Sequence, residues 1–135
     1  MPGLILKLRP NERFLVNGAA MENGSKRTQL NILTPGSNVL RLRDAIDPHQ
    51  ANTPVRRVCY IAQMVVAGEA DPEEARVQLE TGLTQLASVF NDHQSRDHLE
   101  RARLALEQDS FYQALRSLRA LMPVEDHLLS LARPS

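Results

Sequence analysis

Asp47-Pro48-His49-Gln50-Ala51-Asn52-Thr53-Pro54 is the stretch at which the apolar pattern of the sequence changes. Before it, apolar residues recur at every second position; after it, they recur at helical spacing. Asp47-Pro48 and Asn52-Thr53-Pro54 bracket a linker over residues 47–54. Thr53 is suited to cap a helix that has Pro54 at its first position, where a missing N–H costs nothing.

Upstream, Leu4, Leu6 and Leu8 alternate with Ile5, Lys7 and Arg9, the period of a strand. Pro10-Asn11-Glu12 signals a turn and residues 13–16 a short strand. Asn17-Gly18 and Asn23-Gly24 are hairpin signals, because both residue types tolerate positive φ. Residues 26–33 read as a strand with Thr28, Leu30 and Ile32 on one face. After the turn Thr34-Pro35-Gly36-Ser37, residues 38–43 read as a last strand, with Val39, Arg41 and Arg43 alternating against Leu40 and Leu42. The expectation for residues 1–46 is an antiparallel β-module of about five strands, a meander or small barrel-like sheet.

Downstream, Val55, Val58, Cys59, Ala62, Val65 and Val66 follow helical spacing up to Gly68. Asp71-Pro72-Glu73-Glu74 starts a second helix, with the stripe Leu79, Leu83, Leu86 and Phe90. Asn91-Asp92 breaks it. Ser95 or Asp97 starts a third, running to Gln108. Asp109 or Ser110 caps a fourth, with Phe111, Ala114, Leu115, Leu118, Leu121 and Met122 on one face and Pro123 as its stop. Residues 125–132 read as a last short helix. The fold class is therefore α+β, with a helical domain of three to five helices over residues 55–135.

The 135 residues suit a small module fused to a helical one, with a mostly aliphatic core: hydrophobic content is 42%, aromatics 4%, and Trp is absent. One cysteine excludes an internal disulfide, and no apolar run approaches the length of a membrane span. The reading is a cytoplasmic protein. The formal net charge of +0 hides an asymmetry. Residues 1–50 hold seven cations against four acids, net +3, and the remainder holds nine against twelve, net −3. A basic first part points weakly to an anionic partner.

Nothing in the sequence asks for catalysis. His49, His93, His98 and His127 fall in separate segments without a ligand spacing, so no metal or other cofactor is expected. Cys59 sits on the apolar stripe of its helix, as a small buried hydrophobe does. The Glu73-Glu74 pair is explained by a helix start and the glycines by turns. Arg56-Arg57 opens a helix and suits a phosphate, an acidic partner or plain solvent equally. More informative are Lys7 and Arg9 on one face of the first strand and Arg41 and Arg43 on one face of the last. If those strands lie side by side, four cations converge, and arginine both grips phosphates and reads guanine.

The stretch Leu4-Ile5-Leu6-Lys7-Leu8-Arg9-Pro10-Asn11-Glu12-Arg13-Phe14-Leu15-Val16-Asn17-Gly18 and the stretch Val39-Leu40-Arg41-Leu42-Arg43-Asp44-Ala45-Ile46 resemble the carbon storage regulator CsrA over the first 46 residues. Over nearly the whole chain the sequence resembles the FlbT family of flagellin-synthesis regulators. That resemblance runs through the Arg-Pro-Asn-Glu-Arg turn, Asn17-Gly18-Ala19, Glu22-Asn23-Gly24, Leu40-Arg41 and Ala51-Asn52-Thr53-Pro54. It implies a repressor acting on the 5′ leader of flagellin mRNA, alongside a second regulator of FlaF type. The CsrA resemblance implies RNA contacts from first-strand positions Leu6, Lys7 and Arg9 and from Arg43. It departs at Leu8, where CsrA carries a base, and at Arg41-Leu42. Leu6, Lys7, Arg9, Arg41 and Arg43 are the RNA-binding candidates. A second hypothesis makes the helical half an adaptor for flagellin or a FlaF-type regulator, with Leu115, Leu118 and Met122 entering a partner's groove. Homo-oligomer formation is left open, and no membrane partner is expected.

Overall fold

The structure is a computed structural model in which residues 3–132 are described. Its strands are β1 (Leu4–Leu8), β2 (Arg13–Val16), β3 (Ala19–Glu22), β4 (Thr28–Ile32) and β5 (Val39–Arg41), all paired antiparallel. They make two sheets and not one meander: β1 pairs with β4, and β3-β2-β5 form a separate three-stranded sheet. Asn17 and Gly18 turn β2 into β3 with φ of 51° and 84°, as a tight hairpin requires. Asn23-Gly24 makes no hairpin. The Asn23 amide instead donates to the carbonyls of Arg9 (2.7 Å) and Lys26 (3.0 Å), directing the chain from β3 across to β4.

Alternation assigns each side chain to a layer. In the middle sheet, Leu15 lies opposite Leu40 and both face the helices, while Val16 and Val39 face the β1–β4 pair. β5 is therefore buried on both faces, with Val39 at 2% and Leu40 at 4% exposure. Leu6, Leu8, Phe14 and Val39 form a small core between the sheets, and Leu40 and Ile46 belong to the larger helical core. β5 is shorter than the 38–43 expectation. Its partner among the described residues, β2, ends its pairing at Phe14 opposite Arg41, and Leu42–Asp44 forms a 3-10 turn.

Five α-helices follow among the described residues: α1 (Pro54–Val66), α2 (Pro72–Ala87), α3 (His93–Glu107), α4 (Phe111–Arg119) and α5 (Met122–Ala132). Thr53, Asp71, Asp92 and Ser110 cap the first four through side-chain oxygens. α3 thus begins at His93, ahead of Ser95 and Asp97, because Asp92 supplies the acceptor for the Ser95 N–H at 3.1 Å. Pro123 does not stop α4, which ends at Arg119. It lies in the first turn of α5, where a proline sacrifices no helical bond.

α1 is the central helix, with Val55, Cys59 and Ala62 fully enclosed. α2 approaches it closely at Gly82, where an added Cβ would lie 2.8 Å from Val58. α5 closes over its start. The buried Glu125 carboxylate accepts the Val55 N–H at 2.8 Å and the Thr53 hydroxyl, so an acid from another helix satisfies the positive end of α1. Beside it, Arg56 makes two bonds to Asp126, which hold that carboxyl below its ordinary range. Leu79, Leu106, Leu115, Leu118 and Leu121 are fully buried, each contributing about 1.5–3 kcal/mol of apolar transfer.

The linker is not slack. Pro48–Gln50 forms a 3-10 turn with a reciprocal Asp47/Gln50 cap. Just before it, Ile46 donates its N–H to Gln63 Oε1 at 2.7 Å and accepts from Gln63 Nε2 at 2.9 Å. Gln63 is itself buried. Gln63→Ala leaves both backbone groups of Ile46 without partners, so we expect a loss of about 2–4 kcal/mol in urea unfolding. A loss under about 1 kcal/mol would show that water replaces the amide at no cost.

Candidate nucleic-acid interface

The β1–β2 turn places a carboxylate behind the arginines of β5 and the 3-10 turn. Asn11 takes a left-handed backbone, with φ of 60°, which curls the chain so that Glu12 Oε1 accepts the Arg9 N–H at 2.9 Å. The Glu12 side chain is 6% exposed, and its second oxygen points at two cations, 3.6 Å from Arg41 Nη1 and 3.8 Å from Arg43 Nε. Both distances are beyond hydrogen-bond reach, so the attraction is coulombic and the guanidinium N–H groups on this side stay open. That second oxygen has no hydrogen-bond partner among the described residues.

Arg41 and Arg43 thus converge, but not as two residues on one strand face. Arg41 lies opposite Phe14 and faces the β1–β4 sheet, where its Nη2 donates to the Lys7 carbonyl at 2.9 Å. Arg43 reaches the same carboxylate from the 3-10 turn.

The opposite wall is α4, which the sequence reading took only as an apolar stripe. Its last turns carry Arg116 and Arg119, where cations complement the negative helix end. Arg119 donates to the Asp44 carbonyl and lies 3.7 Å from the Asp44 carboxylate, joining α4 to the 3-10 turn. Arg116 has no carboxylate partner among the described residues. Between the walls is a cleft of about 290 Å³, with Leu4, Leu6, Val39 and Leu115 beneath and Tyr112 at the side. Four arginines against Glu12 and Asp44 leave it net positive.

Of the residues expected at an RNA surface, Leu6, Arg41 and Arg43 line this cleft. Leu6 is 3% exposed and serves as floor. Lys7 and Arg9 do not line it: the Lys7 side chain is exposed on β1, and Arg9 lies in the turn that follows. The partner-binding expectation meets a plain obstacle. Leu115 and Leu118 are buried in the helical core, so a partner's groove cannot receive them in this fold; Met122 is half-buried. Arg116, Arg119 and Tyr112 were missed, although Tyr112, Arg116 and Arg119 at spacings of four and three mark one helical face.

Elsewhere the chemistry is quiet. Burial pushes the Cys59 thiol up to about 12, so it is a protonated core group at neutral pH. No three potential metal ligands cluster among the described residues. No helix among them is long and apolar enough to cross a membrane.

Comparison with known proteins agrees with the whole-chain resemblance. The family described as flagellar protein FlbT matches residues 4–129. The chain belongs to the FlbT family. A probable flagellum biosynthesis repressor protein FlbT of Caulobacter sp. (strain K31) is 32% identical over 127 residues, spanning 93% of this chain and 95% of that one. The flagellum biosynthesis repressor protein FlbT of Caulobacter vibrioides is 31% identical, spanning 93% and 89%. A probable member from Allorhizobium ampelinum is 28% identical, spanning 94% and 84%. No solved structure matches the chain. The likeness to CsrA therefore rests on its short motifs.

The two arginines at Glu12 should separate in a stability measurement. Arg41→Ala removes a charge-assisted bond between the sheets and should cost about 1–3 kcal/mol. Arg43→Ala, more exposed and without a side-chain hydrogen bond among the described residues, should stay within about 0.5 kcal/mol of the parent in the same urea titration. Equal losses would contradict this division.

Proposed function

We propose that this FlbT-family chain restrains flagellin synthesis after transcription. It binds the 5′ leader of flagellin mRNA at the arginine cleft and represses translation or promotes decay of the message. The reading has two supports. Relatives aligned over nearly the whole chain carry the name flagellum biosynthesis repressor. The observation behind the RNA half is the cleft itself, where Arg41, Arg43, Arg116 and Arg119 from two separate layers meet around a concave surface. Cations spread over a protein are ordinary; four drawn into one cleft, against two acids, form a phosphate-binding footprint. The chain acts by binding in the cytoplasm and not by catalysis.

A second reading keeps the chain as an adaptor for flagellin or a FlaF-type regulator, and one observation favours it. An apolar groove of about 740 Å³ runs between α1, α2 and α5, edged by the exposed Val77, Val89, Leu128 and Leu129. It replaces the buried Leu115 and Leu118 as the surface such a partner would use.

An electrophoretic shift with a flagellin leader transcript distinguishes the two. The complex should weaken steeply as salt rises. Arg43→Ala should weaken it by about 1–3 kcal/mol and lower the salt dependence by about one phosphate contact. If no salt-sensitive shift occurs, the RNA reading fails and the apolar groove becomes the working surface.

A further inference from the structure

The arginine cleft is not a flat cationic patch. Its base is apolar, formed by Leu6, Val39 and Leu115, and Tyr112 lines one side. Two of its four arginines are committed to the fold, Arg41 through the Lys7 carbonyl and Arg119 through the Asp44 carbonyl. The other two are available. Arg43 is 3.8 Å from its only carboxylate neighbour among the described residues, too far for a hydrogen bond, and Arg116 has no carboxylate partner among them. The cleft thus offers free guanidinium donors at its rim above an apolar and aromatic interior. Its volume, about 290 Å³, is at the lower limit of small-molecule sites.

A phosphate alone would satisfy the rim and leave the interior idle. A duplex would do the same, because it presents phosphates outward and keeps its rings stacked inside. A flat heteroaromatic ring with a phosphate attached uses both parts. We infer that the cleft takes one unpaired nucleotide, with its ring against Tyr112 and the apolar base and its phosphate on Arg43 and Arg116. This inference rests on the RNA reading above and refines it: the message would be recognised where its leader is single-stranded, by stacking and charge together. A free mononucleotide has the same chemistry, so the test must separate the two sources.

Two tyrosines and no tryptophan make the test direct. In a Tyr60→Phe chain, Tyr112 is the remaining ultraviolet emitter of its kind. A short unstructured oligoribonucleotide should quench it on binding, and should bind on the order of tenfold tighter than the same strand annealed to its complement. Tyr112→Leu, which keeps the apolar packing, should weaken the single strand on the order of tenfold and leave the duplex unchanged. Quenching is read with Tyr112 in place, so a poorly folded Tyr112 variant does not remove the test. Equal affinity for strand and duplex without quenching would overturn the inference and leave a phosphate-only RNA surface. Quenching by uridine or adenosine monophosphate, with no binding of either RNA, would keep the nucleotide pocket and overturn the RNA reading. No binding of any of them would overturn both.

Discussion

The side-chain amide of Gln63 holds the backbone of Ile46 by both its N–H and its carbonyl, and both residues are buried. Ile46 closes the β-module, and Gln63 lies on the central helix α1. A buried pair of backbone groups needs partners, and a loop has no ladder to provide them. The amide supplies what a neighbouring strand would have supplied, and so fixes the direction in which the chain leaves β5. With that direction set, Leu40 and Ile46 enter the helical core while Val39 stays in the core between the sheets. The two halves seen in the sequence share a strand, and neither face of it is free.

The cleft is a consequence of this arrangement. α4 is held against the β-module through Tyr112, which packs on both apolar cores, and through Arg119 at Asp44. Bringing four arginines together is electrostatically costly unless acids sit among them. Glu12 and Asp44 are those acids. Each offsets part of the repulsion without saturating the guanidinium groups, since Glu12 approaches Arg41 and Arg43 at 3.6 and 3.8 Å. The site remains net positive and keeps donors to give. A tight bidentate pair such as Arg56 with Asp126 would have closed it.

Much of this was legible in residues whose energetics are local. Leu6 and Leu8 are buried, and Ile5 and Lys7 are exposed, as their alternation indicated. Asn17-Gly18 turns a hairpin, and Thr53-Pro54 and Asp71-Pro72 start helices. Signals set by distant partners were not legible. Asn23-Gly24 carries the same turn chemistry as Asn17-Gly18, yet β4 finds its partner in β1, because burying Leu30 and Ile32 against Leu6 and Leu8 outweighs a local hairpin. Arg43 leaves its strand because the pairing of β5 with β2 stops at Arg41 and Leu42–Asp44 turns into a 3-10 segment. Nothing in the sequence around Arg116 and Arg119 sets them apart from the solvent-facing cations of any short helix. Only the placement of that helix against Asp44 and across the cleft from Arg43 brings them together with the strand arginines, and no local pattern encodes such a long-range contact.

Ultraviolet cross-linking of a flagellin leader transcript to the intact protein, with the attached peptides identified by mass spectrometry, tests the central claim most directly. The account predicts cross-links on residues around Arg41 to Arg43 and around Tyr112 to Arg116, two segments far apart in sequence that meet only in the cleft. Cross-links confined to α2 and α3, or to Lys26 and Arg27 at the far side of the β3–β4 connection, would contradict it.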